Sequence, residues 1–126
     1  LKAFLKTYFD SVTTTLTNKR LTPRVQAVTS SATVTPNSDN DDLVTITAQA
    51  EALTIANPSG TPVSGQALLI RIKDNGTARA ITFGSEYRAI GVTLPSTTVI
   101  SKTMYIGLMR NAADTKWDVI GLSKEV

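Results

Sequence analysis

Residues 65–84, GQALLIRIKDNGTARAITFG, constrain the fold more than any other stretch of this chain. Side chains on an extended strand alternate between two faces. Leu68, Ile70 and Ile72 therefore share one face of the first run, and Arg71 and Lys73 share the other. Asn75-Gly76 follows, and both residues tolerate the positive φ that a type I′ turn requires at its two central positions. A second β-rich run closes the segment. The expectation is a half-buried antiparallel hairpin, 67–73 against 78–83.

The same signals recur along the chain. Strand-like runs fall at Val25–Val28, Ala32–Thr35, Leu43–Ala48 and Ala52–Ile55, then around Tyr87, Ala89 and Ile90, and at Thr97–Ile100. Polar loops at 36–42 and 57–62 separate them. A last hairpin alternates Met104, Ile106 and Leu108, turns at Asn111–Asp114, and returns through Trp117, Val119 and Gly121. The chain holds 20 Thr and 10 Ser against 7 aromatic residues. Threonine's β-branch suits strands, and serine suits turns. No repeat of fixed period is present. With 126 residues, one domain is expected. The fold class read from these signals is all-β, a β-sandwich or jelly-roll-like domain of short antiparallel strands over residues 23–126.

Residues 1–22 read differently. Leu1, Leu5, Tyr8, Val12 and Leu16 recur at helical spacing, and Phe4 and Phe9 widen the stripe. Thr13-Thr14-Thr15 weakens the end of this amphipathic helix, and Pro23 stops it. The stripe has two readings. A terminal helix packs on its own domain, or a stem buries Leu1, Phe4, Leu5, Tyr8, Phe9, Val12 and Leu16 between symmetry-related chains. The chain lacks an initiator Met and reads as a piece of a longer protein or its processed part.

Composition narrows the chemistry. Without cysteine there is no disulfide, thiolate nucleophile or Cys-type zinc site, and without histidine the Ser-His and Cys-His systems cannot be built in one chain. Net charge is +3, unevenly spread: residues 1–35 carry five bases and one acid, and 36–60 carry four acids and no base. The bases alternate with apolar residues along strands and read as solvated faces, so nucleic acid is not an expected partner. No run reaches the ~20 apolar residues needed to span a bilayer, and the first five residues are too short for a secretory signal.

Candidate sites are few. Asn37-Ser38-Asp39-Asn40-Asp41 spaces oxygens like a calcium loop, but Asp42 and Ala48 stand where that pattern needs Gly and Glu. It reads as a solvated acidic turn, and no metal is assigned. Asn75-Gly76-Thr77 fits a glycosylation sequon that the turn requirement already explains. Asp74, Glu86, Asp114, Asp118 and Glu125 sit beside turns, on alternating strands or at the terminus, where a charge is normally just exposed. No catalytic residue and no cofactor are assigned. Tyr87, Tyr105 and Trp117 are the aromatics with a face and polar edge suited to stacking on sugar rings. Trp117 alternates with Val119 and fits a core role, and Tyr87, in a polar, Gly-flanked segment, is the better candidate for exposure.

The segments TPRV at 22–25, TSSATVTPNSD at 29–39, GTPVSGQALLIRIKDNGTARAITFGSEYRA at 60–89 and LPSTTVISKTMYIGLMRNAADTKWDVIGLS at 94–123 together resemble a β-rich module of tailed-bacteriophage virion proteins. That module recurs at the C-terminal end of fibre-like and head- or tail-decorating proteins. YFDSVTTTLTNKRLT at 8–22 resembles the junction at which a stem ends. The resemblance implies a virion structural protein, assembled in the host cytoplasm as a homotrimer and exposed on the particle as a fibre tip or capsid decoration beside other virion proteins. It implies no catalytic residue. The competing expectation is a carbohydrate-binding module for host-surface adhesion.

Overall fold

The computed structural model describes Ala3 and residues 17–126. The expected stem residues Leu1, Phe4, Leu5, Tyr8, Phe9, Val12 and Leu16 lie outside the described residues. Nine strands follow: β1 Val25–Val28, β2 Thr33–Val34, β3 Leu43–Gln49, β4 Leu53–Ile55, β5 Ala67–Asp74, β6 Ile81–Phe83, β7 Tyr87–Ala89, β8 Thr103–Asn111 and β9 Lys116–Lys124. They form a six-stranded sheet, β1-β3-β5-β8-β9-β7, and a three-stranded sheet, β2-β4-β6.

The strand-rich expectation holds, but the pairing differs. Five of the seven strand pairings are parallel: β1 with β3, β3 with β5, β2 with β4, β4 with β6, and β7 with β9. From β1 to β6 the chain alternates between the sheets, laying each new strand beside the one before last. It thus winds as a coil of three turns. The loops between strands stack too. Asn37 bridges Ser59 in parallel, and the Ser38 N–H donates to the Ser59 carbonyl at 2.9 Å. Successive partners Val25, Leu43 and Leu69 lie 18 and 26 residues apart, so the winding leaves no fixed sequence period.

Alternation decides which face each strand buries. Val44, Ile70 and Ile106 form one cross-strand row, Ile46, Ile72 and Met104 a second, and Leu68 with Leu108 a third. All are buried, and Val34, Leu53, Ile55 and Ile81 of the smaller sheet complete the same core. Each such side chain stabilises by ~1.5–3 kcal/mol. On the outer face of the smaller sheet, Thr33, Thr54 and Thr82 stand in register, with the last two hydroxyls 2.9 Å apart.

The expected hairpin at Asn75-Gly76 is not formed, because β5 and β6 belong to different sheets. Only Gly76 has a positive φ, 96°, and Asn75 does not, so the type I′ geometry is absent. The reason lies one residue earlier. The Asp74 carboxylate accepts the Gly76 N–H at 2.9 Å, closing an Asx turn that directs the chain out of the larger sheet. The glycine is still required. Gly76→Val places a β-branched residue at φ 96° and should cost about 1 kcal/mol or more. A thermal melt equal to the parent's would refute that requirement.

The final hairpin is formed as expected, with one change of register. Between Gly107–Gly121 and Leu108–Val119, β9 carries an extra residue, Ile120. Ile120 keeps the outward side that alternation gives it, 54% exposed, and the bulge puts Leu122 rather than Gly121 against the core. The expected strand at 97–100 reduces to a single antiparallel bridge, Thr97 with Ala80.

A candidate ligand groove on the outer sheet face

The outward face of the larger sheet holds a groove of about 170 Å³, lined by Ile46, Thr47, Arg71, Lys73, Thr103 and Tyr105. The fold brings these residues together from three strands. Arg71 and Lys73 alternate outward on β5, and β8 sets Tyr105 opposite Arg71 and Thr103 opposite Lys73. On the other side of β5, the pairing steps from Ile46–Ile72 to Gln49–Asp74. Two residues of β3, Thr47 and Ala48, thus oppose Lys73 alone. A bulge of this kind re-aims a side chain, and here Thr47 joins the groove lining.

The groove is cationic and aromatic together. The Arg71 side chain forms no hydrogen bond or ion pair with other described residues, whereas those of Arg24, Arg79, Arg88 and Arg110 each hold a side-chain oxygen. Tyr105 is 39% exposed. Glu125, whose carboxylate feels the charge of Lys73, accepts the Thr103 N–H at 2.8 Å. That bond, with the fields of Lys102 and Lys73, holds the Glu125 carboxyl below its ordinary range.

The other sequence candidates are held elsewhere. Trp117 is fully buried, and its ring lies under the Arg110 guanidinium at 5.8 Å. Tyr87 is 6% exposed, packs edge-on against Phe83 and donates its hydroxyl to the Ala56 carbonyl at 3.0 Å. Burial, and secondarily Glu86, pushes the Tyr87 phenol well above its usual range. Neither ring is accessible to a sugar. Large aromatics carry the most buried area per residue, which is why the two strands at the end of the core use them. Of the three aromatics, Tyr105 alone faces a ligand-sized space.

The five carboxylates also have internal partners. Glu86 pairs with Arg110 at 2.9 Å, and Asp114 and Asp118 pair with Arg88 at 2.9 and 2.7 Å. Asp74 is buried and accepts from Thr98, Gly76 and Ser101. In the acidic loop, Asp39 accepts from Thr61, Asp41 accepts the Asn37 N–H, and Asp42 pairs with Arg24 at 2.7 Å. The Arg24 guanidinium, then its backbone N–H, lowers the Asp42 carboxyl to about 2. These bonds fold the loop onto the coil. Among the described residues, no group of three or more Asp or Glu side chains is placed to hold a metal ion, and no helix is long and apolar enough to cross a membrane.

Alternation along the sequence places Arg71 and Lys73 on a solvent face, and Tyr105 is among its candidate aromatics, but nothing in the sequence joins them. Thr47 and Thr103 carried no signal at all. Outward alternation was legible on each strand separately. The pairing of β5 with β8, across some thirty residues, was the missing link. No protein-family model matches this chain, nor does any curated protein or solved structure.

Proposed function

We propose that the chain is a structural module of a bacteriophage virion, a trimeric fibre-tip or capsid-decoration domain exposed on the particle. The sequence resemblance motivates this reading. The observation that carries it is the open first turn of the coil. Among the described residues, β1 and β2 are both edge strands, and they lie on the same end of the stack. An unpaired parallel edge is a template for more chain. At the other end, Ser96–Thr98 bonds to Arg79–Ile81 at the entry to β6, and the β8–β9 hairpin and β7 extend the larger sheet beyond the coil. A stem entering through residues 17–24 arrives at the open end, where copies of the chain meet. In this reading the two sheets are the layers of a β-sandwich with a stem helix before it.

Sedimentation tests the assembly. The parent should be a trimer, and Leu5, Tyr8 and Val12 changed together to Ser should give a folded monomer or a much weaker trimer. Burying each stripe residue should contribute ~1.5–3 kcal/mol per copy, so the triple change removes most of the contact. A parent that is monomeric at high concentration defeats the trimer, and antibody labelling of intact particles tests the virion location. A second reading, a carbohydrate-binding module for host adhesion, is favoured by the exposed Tyr105 ring inside the cationic groove.

A further inference from the structure

We propose that the groove on the outer sheet face binds the carboxylate-bearing rings of an acidic polysaccharide. This rests on the carbohydrate reading of the same groove and names the class of sugar. The guanidinium of Arg71 has no acceptor among the described residues, on a molecule whose other sheet-borne arginines, Arg88 and Arg110, each hold a carboxylate. A guanidinium matches a carboxylate through two parallel N–H donors, a geometry that a point cation does not offer. Lys73 stands two residues along the same face and adds a second positive charge. Lys73 forms no ion pair with a described acid, and the Glu125 carboxylate, which feels its charge, is bonded to the Thr103 N–H.

Tyr105 supplies the other half of the recognition. It lies directly opposite Arg71 in the β5–β8 register, so ring and fork flank one space. The exposed phenol ring offers a flat apolar face to the C–H side of a sugar. Its hydroxyl and that of Thr47 form no hydrogen bond with other described residues, which leaves both for the sugar's own hydroxyls. Size points the same way. At about 170 Å³ the groove is well below the roughly 300–1,000 Å³ of clefts that enclose drug-sized ligands. It takes one ring at a time, as a polymer lying across a sheet presents them. A nucleic acid would instead need a row of stacking aromatics and several phosphate contacts, and this groove has one ring.

The test is calorimetric titration of the purified chain with oligogalacturonate, oligoalginate and oligosialic acid. Methyl-esterified oligogalacturonate and single-stranded DNA serve as comparison ligands. At least one of the acidic sugars should bind, with its neutral ester about tenfold weaker or more, the loss expected for one charge-assisted contact. Arg71→Ala and Tyr105→Ala should each weaken binding by a similar factor with an unchanged melting temperature, and Arg71→Lys should recover only part of the loss. Equal binding of acid and ester, unmoved by Arg71→Ala, overturns the carboxylate assignment and leaves the carbohydrate reading standing. Binding of none of the sugars removes both. DNA binding as tight as the best sugar reduces the groove to a general attraction for anions and overturns the proposal.

Discussion

Trp117→Ala is expected to lower the unfolding free energy by about 3–5 kcal/mol, the range for deleting a fully buried large aromatic. Trp117 is 0% exposed and stands where β9 meets both β8 and β7, with Arg110 and Tyr87 as its cross-strand partners. Its backbone N–H donates to the Glu86 carbonyl at 2.8 Å, so the residue also sets the entry to β7. Truncation leaves a cavity there and strips the Arg110 guanidinium of the ring beneath it. Trp117→Phe should cost clearly less. The indole N–H has no hydrogen-bond partner among the described residues, so no bond is lost, and a buried unpaired donor is removed. Denaturant unfolding followed by circular dichroism separates the two, since the chain has no other tryptophan to report by fluorescence. Equal losses for Ala and Phe would mean that the N–H is paired. A loss under about 1 kcal/mol for Ala would deny the site its place in the core.

The contrast between these strands and the coil shows what the sequence discloses. The β8–β9 hairpin was legible because its two runs are joined by a short turn, and the pairing of neighbours in sequence is local. Asn111 and Asp114 close that turn with their own side chains. β1 to β6 were nearly all locatable, since β-branched runs bounded by Pro, Asn and Gly mark strands wherever they pair. Their partners were not legible. Parallel strands need a crossover, and nothing in Leu43–Gln49 specifies that it will lie between Val25–Val28 and Ala67–Asp74. The dipeptide Asn75-Gly76 points to a hairpin that is not made, because its turn propensity is real but the preceding Asp74 decides where the chain goes. Bulges are equally silent. Alternation from Trp117 and Val119 puts Gly121 on the core face, and a single unpaired position, Ile120, gives that place to Leu122. The groove inherits all of this. Each lining residue is ordinary on its own strand, and only the pairing makes a site.

Asp74 is a buried charge on which the fold depends. It is 3% exposed at the end of β5, and its carboxylate gathers three donors: the Thr98 hydroxyl at 2.7 Å, the Ser101 N–H at 2.8 Å and the Gly76 N–H at 2.9 Å. Thr98 in turn accepts the Arg79 N–H at 2.8 Å, so the cluster ties the 74–80 corner to the 96–101 segment, which bonds to the entry of β6. Burial pushes this carboxyl up, but the three hydrogen bonds and the nearby Arg79 outweigh it, and the net shift is downward. Asp74→Ala should cost about 3 kcal/mol, because bonds to a charged acceptor are lost and buried donors are left without one. Asp74→Asn keeps an acceptor and should cost less. The sign of the pH dependence follows from the lowered carboxyl. Its stabilisation is fully present above the unfolded-state value of about 3.9 and is lost as pH falls through the lower folded-state value. The stability gap between the parent and Asp74→Asn should therefore be constant from pH 7 to about 5 and shrink below about pH 4. Taking the difference cancels Asp42, Asp118 and Glu125, whose carboxyls are also lowered. A gap that widens on acidification would mean that Asp74 is protonated in the folded chain at neutral pH, with burial winning over its three donors.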